Sequence, residues 1–187
     1  NLIFSCVQSS YRRVKKLAQE VNSENIYICD ASNESDVSNL FENVSKNIDT
    51  NLHVFVHSIA YADPLYLGED FIDTPKHVWN NSLDISAYSF MQMTRQAKDL
   101  MDKEDGGSII TLSYGGTRVH PGYNMMGISK AALEMVARYL AYDLGPDNIR
   151  VNIIGSGPIP TLSSQMVENF QFALSKVAQC SPLLKNV

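Results

Sequence analysis

The sequence predicts an α/β domain built on a doubly wound parallel sheet, and three observations carry that prediction. Short apolar runs alternate with longer segments of helical period along the 187 residues. The runs His53-Val54-Phe55-Val56 and Ile109-Ile110-Thr111-Leu112 do not alternate with polar residues, as expected where helices cover both faces of a parallel sheet. Hydrophobic residues are 44% and charged residues 19%, with 10 Gly and 7 Pro, which is ordinary globular composition and points to one domain over residues 1–187.

The elements follow in order. Residues 2–7 read as a strand, 10–21 as a helix and 25–29 as a strand. Residues 35–48 read as a helix, because Val37, Leu40, Phe41, Val44 and Ile48 recur at spacings of three and four. A strand at 52–59 comes next. Residues 74–101 read as one long helix, with Thr74 as N-cap and Pro75 in its first position. Gly106-Gly107 ends that connection, 108–113 is a strand, 123–144 a helix closed by Gly145-Pro146, and 149–154 a strand. In such a fold ligands bind beyond the carboxyl ends of the strands, so the segments to search are 8–10, 30–31, 57–63, 113–122 and 155–161.

Charge and cysteine content exclude several classes. Fifteen Lys and Arg against 20 Asp and Glu give a net charge of -5, and the one basic cluster, Arg12-Arg13 with Lys15-Lys16, suits the solvated face of a helix better than a nucleic-acid stripe. Cys6, Cys29 and Cys180 are far apart and lack zinc-ligand spacing, and the four histidines are scattered, so neither a disulfide framework nor a metal site is expected. No apolar run approaches the roughly 18 residues of a membrane span and no charged leader opens the chain, so a non-secreted, non-membrane protein is expected.

All ten glycines lie at or after Gly68. A dinucleotide fold needs glycines after its first strand, where the backbone turns tightly and lets a pyrophosphate approach a helix N-terminus. Two readings follow: the chain binds no dinucleotide, or it begins after the first strand of its fold.

Tyr123 and Lys130 stand seven residues apart near the start of one helix, a rotation of about 700° and a rise of about 10 Å, so they share a face. An ammonium reaching toward the same ligand as a phenol can hold a cofactor ribose and lower the phenol's pKa, as a proton donor to a developing enolate requires. Spacing alone favours the plainer reading, with Tyr123 as a helix-start aromatic and Lys130 as a solvated lysine.

Context adds to the spacing. The run Tyr123-Asn124-Met125-Met126-Gly127-Ile128-Ser129-Lys130-Ala131-Ala132-Leu133-Glu134 follows Leu112-Ser113-Tyr114-Gly115-Gly116 and precedes Arg150-Val151-Asn152 and Gly157-Pro158-Ile159. With His57-Ser58-Ile59-Ala60 and Ser86-Ala87-Tyr88-Ser89-Phe90, these runs closely resemble the NADH-dependent enoyl-acyl-carrier-protein reductases of bacterial type II fatty-acid synthesis. That family is a divergent branch of the Rossmann-like short-chain dehydrogenases/reductases. The resemblance covers residues 4–187, and Tyr-x6-Lys in place of Tyr-x3-Lys is its most discriminating feature.

The resemblance implies NADH as cofactor and reduction of the trans-2 double bond of an acyl chain carried on acyl carrier protein. It implies that Tyr123 hydrogen-bonds the thioester carbonyl, that Lys130 binds the nicotinamide ribose, and that Tyr114 is the second tyrosine of the pocket. It places Asp30 and Ala31 at the adenine ring, Ser58, Ile59 and Ala60 over the cofactor, and Ile159 and Thr161 at nicotinamide and pyrophosphate. Ser113 and Pro158 join the cofactor-contacting set, and Ala62 lines the acyl pocket with Tyr114 and Tyr123. Asp30 reads alternatively as a cap of the helix after its strand, and Ser58 as a strand end. The resemblance implies a cover for the acyl pocket over residues 162–177, where Met166, Val167, Phe170, Phe172 and Leu174 offer apolar faces that suit core helix packing equally well. A cytoplasmic homotetramer is implied, with the helices 74–101 and 123–144 as interfaces.

The chain departs from the pattern at several points. Eight residues separate Tyr114 from Tyr123, one fewer than is typical, and Ser156 stands where alanine is usual. Gln8 and Cys6 both suit the polar position near the adenosine ribose. The family's first strand, its Gly-rich turn and the following helix have no counterpart, nor has its final strand. The absent first strand belongs between the strands at 2–7 and 52–59, so two unpaired edges are expected there, along with poor stability of these residues alone. A Gly-rich strand-turn-helix upstream of Asn1 is therefore expected. Two other functions compete: another short-chain carbonyl reductase, and a cofactor-less binding or scaffold protein of the same fold.

Overall fold

The computed structural model describes residues 2–48, 50–115, 117–161, 164 and 170–185. Its strands fall where the apolar runs place them, but each is trimmed to the residues that actually pair. β1 (Phe4–Cys6) and β2 (Ile26–Ile28) pair in parallel, Phe4 opposite Ile26. β3 (Val54–His57), β4 (Gly107–Ser113) and β5 (Ile149–Gly155) form a second parallel sheet in the order β3-β4-β5, with His57 opposite Thr111 and Ser113 opposite Gly155. Among the described residues the strands therefore form two sheets, and β1 and β3 each keep an unpaired edge. Val54 and Val56 are accordingly 51% and 53% exposed, although they lie in an apolar strand.

α1 (Tyr11–Glu20) follows a 3-10 turn at Gln8–Ser10, where the sequence suggested a helix starting at residue 10. α2 (Glu34–Asn47) buries Val37, Leu40, Phe41 and Val44, the stripe its period predicts. Its cap is Asn33, whose side chain accepts from the amides of Ser35 and Asp36. Glu34 and Asp36 in the first turn and Lys46 in the last complement the helix dipole.

The single helix expected over 74–101 is corrected in two respects. Thr74 is no cap: its hydroxyl donates to the Phe71 carbonyl, and extended Pro75 sits at the cap position of α3 (Lys76–Leu83), accepting the Trp79 amide. A π-helical stretch, Asp84–Tyr88, then interrupts the helix before α4 (Ser89–Lys98). The interruption buries two small side chains, Ser86 and Ala87, and Ser89 at the start of α4 is buried beside them. Periodicity alone has no term for an inserted residue.

α5 (Asn124–Leu144) is uninterrupted, with Tyr123 at its cap position, and ends in a 3-10 turn, Gly145–Asp147. α6 (Phe170–Cys180) completes the described elements. Among the described residues no helix is long and apolar enough to cross a membrane.

Two cores position the site. One packs Phe90 of α4, Leu133, Ala137 and Leu144 of α5 against Ile109 and Ile149. The other gathers the buried stripe of α2 with Met93 and Ala97 of α4 and Cys29. Leu52 and Phe55 border both, so β3 and α4 tie the two together. Each large side chain withdrawn from water contributes about 1.5–3 kcal/mol, which makes these contacts the main support of the strand ends described next.

Candidate active site

The site lies at the carboxyl end of β4. Lys130, in the second turn of α5, is only 8% exposed, and its Nζ donates to the carbonyl of Leu112 at 2.8 Å. Burial lowers its pKa. Just past the end of that strand, the ring of Tyr114 meets that of Tyr123 edge to face, with centroids 5.7 Å apart. Lysine and phenol are thus both directed at the last residues of β4.

Burial, and secondarily the Tyr114 phenol, pushes the Tyr123 pKa up to about 12. This corrects the expectation that Lys130 would depress it. The ammonium is engaged by a backbone carbonyl, and desolvation of the phenol dominates. Tyr123 therefore stays protonated at any physiological pH, the form that donates a hydrogen bond.

Behind these groups lies a buried polar layer. His57, 1% exposed at the end of β3, bonds Thr111 Oγ1 through Nδ1 at 3.2 Å and Ser89 Oγ through Nε2 at 2.9 Å. Burial, reinforced by the Lys130 charge, lowers its pKa to about 3, so the imidazole is neutral. Buried Ser113 donates to Glu134 of α5 at 2.7 Å, fixing the strand end to the helix that carries Tyr123 and Lys130.

The loop after β3 is held from below. Ser86 Oγ accepts from the Tyr61 amide at 2.8 Å and donates to the Tyr61 carbonyl at 2.9 Å. It leaves Ser58 and Ala60 exposed, Ile59 packed at the second core and Ala62 buried. Because β3 neighbours β4, this loop starts beside the Leu112–Tyr114 backbone. Asn124, at φ 32°, donates to the carbonyls of Tyr66 and Glu69, which ties the following loop to the start of α5.

The segment after β5 also adjoins β4, since the Ser156 amide donates to the Ser113 carbonyl. Pro158 is buried, while Ile159 and Thr161 are exposed and joined by Ser164, whose hydroxyl bonds both their carbonyls. Asp30 and Ala31 follow β2 in the other sheet. Asp30 is exposed and accepts from the amide and hydroxyl of Ser32, which hold its carboxyl below the usual range. The helix cap there is Asn33, so the alternative reading of Asp30 as a cap falls. Of the expected pocket cover, Met166 and Val167 lie outside the described residues. Phe170, Phe172 and Leu174 lie in α6, with Phe172 exposed.

Ser86, Asn124, Glu134 and His120 are placed at the site without having been assigned a role from the sequence. Asn124 alone carried a signal, since asparagine tolerates positive φ better than most residues.

A parallel-stranded domain whose strand β4 ends at a buried lysine and a desolvated phenol, both carried by the following helix, defines the Rossmann-like short-chain dehydrogenase/reductase class. Residues 1–187 match the family described as Enoyl-(Acyl carrier protein) reductase, and the chain belongs to that family. It is 44% identical over 176 residues to the NADH enoyl-acyl-carrier-protein reductase FabI of Rickettsia bellii, covering 94% of this chain and 66% of that protein. The crystal structure of the corresponding NADH reductase from Aquifex aeolicus matches with a TM-score of 0.92 at 36% identity, covering 100% of this chain and 73% of the other. The enzyme of Anaplasma phagocytophilum, solved in complex with NAD, matches with a TM-score of 0.87 at 36% identity, covering 97% and 67%. The chain thus spans about two thirds of the length of these relatives.

Proposed function

We propose that the protein reduces the trans-2 double bond of enoyl-acyl carrier protein with NADH, as the names of its relatives say of them. The observation that supports this most is the joint approach of Lys130 Nζ and the Tyr123 ring to the end of β4.

The residues present suit the cofactor. Among the described residues Lys130 Nζ has a single acceptor, Leu112 O, which leaves two of its three donors for the hydroxyls of a ribose. Asp30, Ala31, Ser58, Ile59, Ala60, Ser113, Pro158, Ile159 and Thr161 are assigned to the rest of the dinucleotide. NADH, when bound, supplies a hydride for the β-carbon of the acyl chain. Tyr123, protonated because its pKa is about 12, donates a hydrogen bond to the thioester oxygen, where negative charge then develops. Tyr114 packs against the donor ring, and Ala62 lines the acyl path with both tyrosines. His57, neutral and fully bonded, adds no charge behind Lys130.

Acyl carrier protein is the proposed partner, with a cytoplasmic homotetramer as the working assembly and exposed faces of α3, α4 and α5 as its interfaces. The test is the consumption of NADH by full-length protein offered crotonyl thioester, against acetoacetyl thioester with NADPH. Preference for the first pair supports the proposal. Preference for the second favours a carbonyl reductase, and failure to bind NADH favours a cofactor-less scaffold.

A further inference from the structure

We propose that His120 is a positioning residue of the tyrosine pair, setting the orientation of the Tyr123 ring across the shortened loop between the two tyrosines. The inference rests on the functional reading above only for its kinetic consequence.

Three rings touch one another at the end of β4. His120 lies on Tyr114 at a centroid distance of 5.0 Å and an angle of 35°, and meets Tyr123 edge-on at 6.2 Å and 87°. Tyr114 and Tyr123 complete the triangle. Among the described residues Tyr123 is therefore bounded by two ring neighbours, and removing His120 leaves it one.

The imidazole also packs against the backbone at Gly115. Gly115 adopts φ +62°, and a Cβ at that position would overlap the His120 ring, with Cδ2 at 2.7 Å and Nε2 closer still. The glycine thus gives up the space of a side chain, and His120 fills it. Its Nε2 is buried there and has no hydrogen-bond partner among the described residues. A buried nitrogen left unpaired is unfavourable, so hydrogen bonding does not account for the ring's placement and packing does. The backbone closes around the same ring, since the Tyr123 amide donates to the His120 carbonyl at 3.0 Å. One residue therefore meets Tyr114 with its ring, and Tyr123 with its ring and its carbonyl.

A misplacement of about 1 Å can cost 100-fold in rate when it moves a catalytic group. His120→Ala in full-length protein should lower kcat for enoyl thioester reduction about tenfold while the NADH dissociation constant stays within about twofold. His120→Phe keeps a ring against both tyrosines and should recover most of the loss. Aromatic NMR decides the ring placement without activity: the Tyr123 resonances, assigned by their loss in Tyr123→Phe, should shift in His120→Ala and stay near their original positions in His120→Phe. Unchanged kcat and Tyr123 resonances in His120→Ala would overturn the inference, as would equal damage from the two variants, which would make the nitrogen and not the ring the essential part. If the wild-type protein reduces no enoyl thioester, the functional reading fails, and the NMR comparison still decides the positioning role.

Discussion

His57 shows how one side chain can couple the site to pH. Its pKa falls from the usual 6.5 to about 3 in the folded protein, because burial and the Lys130 charge both oppose protonation. The unfolded chain therefore binds the proton first. Stability from this group is complete above pH 6.5 and is lost as pH falls toward 3, a loss on the order of a few kcal/mol. Acid unfolding followed by circular dichroism should show a steep decline in this window. His57→Asn, which keeps polar atoms without an imidazole pKa, should flatten it, and an unaltered acid slope would contradict the assignment. That Tyr123 and Lys130 share a face was legible from their spacing and their proposed roles only from the resemblance, while the direction of the phenol's shift was legible from neither. It depends on burial, 12 being reached through desolvation, and on which acceptor the ammonium finds.

At the scale of elements, the interruption between α3 and α4 does functional work that periodicity could not reveal. The π-helical stretch turns Ser86 inward, where its hydroxyl serves both the amide and the carbonyl of Tyr61. Ser86→Ala leaves both backbone groups without that partner and should destabilise the protein by about 1–3 kcal/mol. Thermal unfolding measures that cost, and faster hydrogen exchange at the Tyr61 amide should accompany it. A melting point and exchange rate equal to wild type would show that the anchor is dispensable. Where the pattern was regular, the reading from sequence held: α2 buries four of the five residues its spacing marks, the fifth, Ile48, standing just past its end, and α5 runs unbroken to Leu144. Where a cap or an inserted residue decides the geometry, as at Thr74 and Asn33, local hydrogen bonding outweighs the pattern.

At the scale of the whole molecule, the described strands form two separate parallel sheets, β1-β2 and β3-β4-β5, in line with the unpaired edges expected at the first and third strands. β1 and β3 are both unpaired on one side, and the apolar side chains of Val54 and Val56 stand exposed. Open apolar edges recruit other strands. A polypeptide of residues 1–187 alone should therefore self-associate as its concentration rises, seen by sedimentation velocity. A stable monomer with a sharp melt would contradict this. The unpaired edges were legible only through the strand order of the family the chain resembles, since the lack of glycine in the early turns left two readings open.

The most direct test of the account is a pair of variants in full-length protein, Tyr123→Phe and Lys130→Ala, each measured for kcat on an enoyl thioester and for NADH affinity. Tyr123→Phe should lower kcat about 100-fold with NADH affinity preserved. Lys130→Ala should weaken NADH roughly tenfold or more, as the loss of a charge-assisted hydrogen bond predicts. Small, equal effects of both changes on both quantities would contradict the division of labour at the end of β4.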